Sequence, residues 1–237
     1  MTFNPTSYEL VNFKKIYSIA NEYLAIAPSI TGFPFSVKVF LHEQTDIALC
    51  SYSKATLKFG IDVAVFESKS ATLQEFSGAY IIFYNDKEAP PRVRFSIIHE
   101  FAHYVLHHKP DLSPDDPRYK TQELEANCFA AQLLMPEQLL RECASRHVQI
   151  SVSFIKEMFG VSEAAAYKRQ HTLAVTNAEW RTRAEKRYDD IILSRYSGTI
   201  RPFILRYRKY NPWNYDDDYE RQVERDSWLD TRTRWDR

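Results

Sequence analysis

The sequence predicts an α+β fold in which a small mixed β-sheet sits beside a larger set of helices. Three observations carry that expectation. Runs rich in β-branched and aromatic residues fall between residues 36 and 85, apolar spacing of three and four dominates from about Arg92 onward, and proline-containing breaks separate the two regimes.

In chain order, residues 7–27 (SYELVNFKKIYSIANEYLAIA) show helical apolar spacing and end before the Pro28 to Pro34 turn region. SVKVFLHE, ATLKFGIDVAVF and SGAYIIFYN alternate partially and read as the strands. NDKEAPPR breaks the sheet, and Pro91 suits the first position of a helix running from Arg92 to His108, which Lys109-Pro110 stops. A polar loop leads to a second helical pattern, TQELEANCFAAQLLM, and Pro136 opens a third, PEQLLRECASR. SFIKEMFG and SEAAAYKRQHTL follow, each preceded by a serine suited to N-capping. From residue 176 the chain is dense in Arg, Asp, Trp and Tyr and poor in aliphatics, so one helix near residues 178–195 is expected, with partial disorder in the rest.

Lys plus Arg and Asp plus Glu both number 31 in the 237 residues, which excludes a global electrostatic footprint for nucleic acid or an anionic membrane. The N-terminus carries no leader pattern, and no apolar run approaches the roughly 20 residues of a membrane span, so a cytoplasmic location is expected. Cys50, Cys128 and Cys143 lack C-x-x-C spacing and read as reduced, buried thiols.

Against this background SIIHEFAHYVLHH, residues 96–108, is anomalous: His99, Glu100 and His103 interrupt the most apolar helix of the chain. Polar groups there cost roughly 2–7 kcal/mol each unless something satisfies them. Residues four apart share a helix face, so two imidazoles can meet one ion, with Glu100 at their flank. That is the H-E-x-x-H arrangement, in which neutral imidazoles bind Zn2+ and the carboxylate takes a proton from water at the metal. A third ligand is expected from the next helix, where Glu123 and Glu125 both offer carboxylates. Glu123 is favoured because Asn127, one turn on, shares its face and can fix the tautomer of a ligand histidine. His107 continues the His99, His103 row one turn further and reads as a helix-end or supporting residue. His42, His108, His147 and His171 have no partner in sequence. Tyr119, Tyr167 and His171 are candidate donors to an oxyanion.

RFSIIHEFAHYVLHH followed by ELEANCFAAQLLMPEQLL resembles the signature of the ImmA/IrrE family of metallo-endopeptidases, and the likeness extends over roughly residues 35–172. The resemblance implies a zincin-like core, zinc held by His99, His103 and Glu123, Glu100 as general base, and a helix-turn-helix repressor as protein substrate. It also implies three parts: a metallopeptidase core over residues 1–150, a helix-turn-helix-like segment over 151–175 packed on it, and an extension over 176–237 without a family counterpart. An extended substrate would pair with a sheet edge, for which SGAYIIFYN is the candidate because it directly precedes the metal helix. Two other readings stay open: a regulatory protein acting by association with a repressor or antitoxin, and a DNA-binding regulator using residues 153–173, with Lys168 and Arg169 as its basic patch.

Overall fold

A computed structural model describes residues 11–44, 46–66, 68–76, 78–109, 112–175 and 182–207. It is an α+β structure with one three-stranded mixed sheet and, among the described residues, nine α-helices. The first helix, α1 (Phe13–Ile26), starts at the Asn12 cap, whose side chain accepts from the Lys15 N–H; the start of the predicted helix lies outside the described residues.

Two segments predicted as strands, 36–43 and 55–66, contain none: the first is a helix, and the second is the end of a helix followed by a 3₁₀ turn. Val37–His42 forms α2 because Ser36 caps it and its buried residues, Val37, Phe40 and Leu41, follow the i, i+3, i+4 spacing of a helix face. Tyr52–Phe59 forms α3, opened by the Ser51 side chain on the Lys54 N–H and closed by Gly60 at φ +64°. A 3₁₀ turn, Val63–Val65, follows. The strands are instead β1 (Ile47–Ser51), β2 (Ala71–Phe76) and β3 (Ala79–Tyr84), of which the sequence reading anticipates only β3.

The sheet order is β1-β3-β2, with β3 parallel to β1 and antiparallel to β2. β3, the expected edge, is therefore the central strand, and β2 is the edge beside the next helix, α4 (Pro90–Val105). Alternation along β3 divides the interior: Ile82 and Tyr84 enter the main core, while Ile81 and Phe83 pack on the other face with Cys50, Tyr52 and Ala55.

The main core lies between α4, α1 and α5 (Pro117–Leu134), where Phe101 meets Tyr23, Phe40 and Phe129 edge to face. Beyond α5 come α6 (Glu137–Ser145), α7 (Val152–Phe159) and α8 (Glu163–Val175). Arg94 of α4 donates from Nη1 to the carbonyls of Phe159 and Gly160, at 2.9 and 2.7 Å, tying α4 to the end of α7. The last described helix, α9 (Arg183–Tyr207), is longer than predicted and packs on α1 and α6. It buries Ile192, Tyr196, Ile200 and Ile204, one residue per turn. The remainder of the expected extension, 176–181 and 208–237, lies outside the described residues. No helix among those described is long and apolar enough to cross a membrane.

Candidate metal centre

The centre is made by two helices held in register by the aromatic core. On α4, Ile97, Ile98, Phe101 and Ala102 are buried, which turns His99 and His103 toward α5. α5 starts at Asp116, whose side chain accepts from the Arg118 N–H, with Pro117 at its first position, and presents Glu123 two turns in.

The three side chains converge. His99 Nε2 and His103 Nε2 are 3.1 Å apart; His99 Nε2 lies 3.4 Å from Glu123 Oε2 and His103 Nε2 lies 3.4 Å from Glu123 Oε1, so each carboxylate oxygen faces one imidazole. Among the described residues these three form the group whose donor atoms all lie within 4.8 Å of one another. A tetrahedron with zinc-ligand arms of about 2.0–2.1 Å has edges of about 3.3 Å, and the one N···N and two N···O contacts of the cluster are close to that length. Burial pushes the Glu123 carboxyl up, but hydrogen bonds from His103 and His99 and their charges outweigh it and hold it well below the usual carboxylate range. Burial pushes His99 down, and the Glu123 hydrogen bond with the charges of Glu100 and Glu123 reverses the sign. The cluster is thus a concentrated seat for positive charge, whether proton or cation.

Glu100 stands beside the triangle. Its Oε2 accepts from the backbone N–H of Leu73 in β2 at 2.9 Å. The Asn85 N–H donates to the Ser70 carbonyl at 2.8 Å, which assigns the ladder bonds with β3 to the even-numbered residues of β2. Leu73 and Glu75 therefore direct their backbone groups to the open edge. Burial lifts the Glu100 carboxyl above its ordinary value, opposed by the charges of His99 and His103 and by the Leu73 N–H.

The neighbours of the triangle differ from those read in the sequence. α4 ends at Val105 rather than His108. The His107 N–H donates to the Tyr104 carbonyl and the His108 N–H to that of His103, with His107 at φ +54°, which is a Schellman closure with histidine where glycine is usual. His107 consequently leaves the histidine row and is exposed. The closure folds His108 back instead, with Nδ1 2.9 Å from His103 Nδ1 and Nε2 3.1 Å from Glu125 Oε2. Glu125 is thereby held off the triangle. Burial, helped by the charges of His103 and His99, pushes the His108 imidazole down to about 4. Sequence reasoning missed His108; its signal was the adjacent His107-His108 pair at a helix end, where one residue must turn out and the next turn back.

Asn127 donates from Nδ2 to the Glu123 carbonyl at 2.7 Å and also hydrogen-bonds His99. Of the three oxyanion candidates, only Tyr119 stands near the cluster. The Glu123 charge, then burial and the Glu100 charge, raise its phenol. Tyr167 and His171 are exposed on α8, which Arg169 anchors at Gln132 and Met135, about three turns along α5 from Glu123. Arg169 itself, proposed for a DNA surface, is 2% exposed and donates to Met135 O, Tyr17 Oη and the Gln132 side chain, so the basic patch on this helix reduces to Lys168.

Residues 57–171 match the Peptidase M78 family, described as the IrrE N-terminal-like domain. No curated protein matches the chain. A solved structure described as a Mycobacterium tuberculosis transcriptional regulator is similar to it with a TM-score of 0.43 and 16% identity, covering 72% of this chain and 49% of that one. The chain thus spans about half the length of that structure.

Proposed function

The chain carries an IrrE N-terminal-like domain of the ImmA/IrrE family over residues 57–171, and on that premise we propose that it is a zinc-dependent endopeptidase of zincin type. The observation that carries this reading is the convergence of His99, His103 and Glu123, whose donor atoms all lie within 4.8 Å of one another, with Glu100 alongside. These three residues would hold the ion, which when bound would supply Lewis acidity to polarise a peptide carbonyl and acidify water. Glu100 takes the proton from the attacking water and returns it to the leaving amine. The Leu73 N–H holds one Glu100 oxygen and leaves the other for that transfer. Tyr119 donates its phenol to the developing oxyanion. An extended substrate pairs along β2, whose Leu73 carbonyl and Glu75 backbone groups face outward.

The family resemblance supports a helix-turn-helix repressor as the substrate and the cytoplasm as the place of action. The test compares the zinc-loaded protein with its Glu100→Gln variant in an extract of the source cells, labelling newly formed protein N-termini. New termini that appear with wild type and not with the variant support the reading. None with zinc-loaded wild type, in an extract containing the repressors, would overturn it.

A further inference from the structure

The hydrogen-bond chain behind His103 fixes where each proton must lie. For His103 Nε2 to offer a lone pair within the triangle, the ring's proton must sit on Nδ1. That proton then points along the 2.9 Å contact to His108 Nδ1, which must accept and so carries its own proton on Nε2. The His108 Nε2–H in turn points along the 3.1 Å contact to Glu125 Oε2, which accepts. Every donor meets an acceptor. The opposite arrangement fails at both ends. A proton on His103 Nε2 would occupy the triangle, and the reversed chain would set a bare His108 Nε2 against the Glu125 carboxylate, acceptor against acceptor.

Resting on the zinc reading above, we propose that His108 and Glu125 are positioning residues that lock His103 in its metal-binding tautomer, the carboxylate at the far end of the chain selecting the lone pair at the near end. The backbone supplies the geometry. The Schellman closure with His107 at positive φ places the second residue beyond the helix cap back against the third residue from the helix end, here His108 against His103. Such closures usually join those two positions by an apolar contact, whereas here the contact is a pair of imidazoles. The His108 side chain is only 5% exposed, so water does not replace the partner it loses if either neighbour is removed. On the other ligand, Asn127 plays the matching part: its Nδ2 is committed to the Glu123 carbonyl, leaving Oδ1 as acceptor for His99.

Partners of this kind are worth about 10- to 100-fold in metal affinity. The test uses the full chain and three variants, with zinc affinity measured by competition against a chromophoric chelator and folding checked by thermal melts. His108→Leu fills the buried space without an acceptor, and His108→Asn keeps an acceptor near the Nδ1 position. Glu125→Gln removes the charge that sets the polarity, and it carries the comparison if His108→Leu does not fold. The expected result is a loss of about 10- to 100-fold for His108→Leu, with His108→Asn within a few-fold of wild type and Glu125→Gln weakened. Two-bond 15N–1H spectra of zinc-loaded wild type should show His103 protonated on Nδ1 and His108 on Nε2. Equal affinity in all variants, equal losses in Leu and Asn, or a His108 proton on Nδ1 would each overturn the proposal while leaving the zinc site standing. A wild type that binds no zinc would instead remove the site reading on which it rests.

Discussion

Two imidazole nitrogens 3.1 Å apart with a carboxylate 3.4 Å from each cannot all present bare lone pairs to one another at low energy; at the residue scale a proton or a cation between them is required. Glu100 is outside that requirement, which makes its removal informative. Glu100→Gln keeps an oxygen to accept from the Leu73 N–H, so zinc content should be unchanged and stability should shift by less than about 1 kcal/mol. Cleavage should fall by about 10²- to 10⁴-fold because the proton acceptor is gone. Paired metal analysis and activity assays check both halves. That His99 and His103 share one helix face was legible in the sequence, because i, i+4 spacing survives any error in helix length. That His108 rather than His107 folds back on His103 was not legible, because the helix stops at Val105 rather than at His108.

At the scale of the element, caps decide what composition leaves ambiguous. SVKVFLHE and ATLKFGIDVAVF carry enough β-branched and aromatic residues to read as strands, yet Ser36 and Ser51, which open the helices Val37–His42 and Tyr52–Phe59, and Gly60, which closes the second, are helix signals. Ile47–Ser51 and Ala71–Phe76 are short, and their pairing with β3 comes from the tertiary fold, which no local pattern records. The end of α7 offers a sharp test of capping. Gly160 sits at φ +60°, and a Cβ there would meet Arg94 Nη1 at 3.0 Å and Pro34 Cβ at 3.1 Å. Gly160→Ala should therefore destabilise by about 1–2 kcal/mol, the left-handed penalty plus crowding, read as a shift in urea midpoint. Because the same Arg94 braces α4, a variant that also loses zinc affinity would show that the brace reaches the His99, His103, Glu123 cluster.

For the molecule as a whole, a buried polar seam joins α1, α5, α6, α8 and α9. Gln132 donates to Asn21 and Gln138, Gln138 to Asp189, and Arg169 to Gln132, Tyr17 and the Met135 carbonyl. Its polar residues gave no hydrophobic pattern to read, which is why the sequence reading places Arg169 on a surface and ends the helix of the extension near residue 195 rather than at Tyr207. Arg169→Met should cost about 2–4 kcal/mol by stranding several buried acceptors, measured by denaturant unfolding. It should leave the ion-binding residues intact, since Arg169 reaches the end of α5 remote from Glu123. These layers serve one centre, and metal content tests it most directly. Elemental mass spectrometry of the purified wild type, His103→Ala and Glu123→Ala should find near-stoichiometric zinc in the first and almost none in the other two. A wild type that remains metal-free after zinc is added back, or variants that keep their zinc, would contradict the His99, His103, Glu123 site.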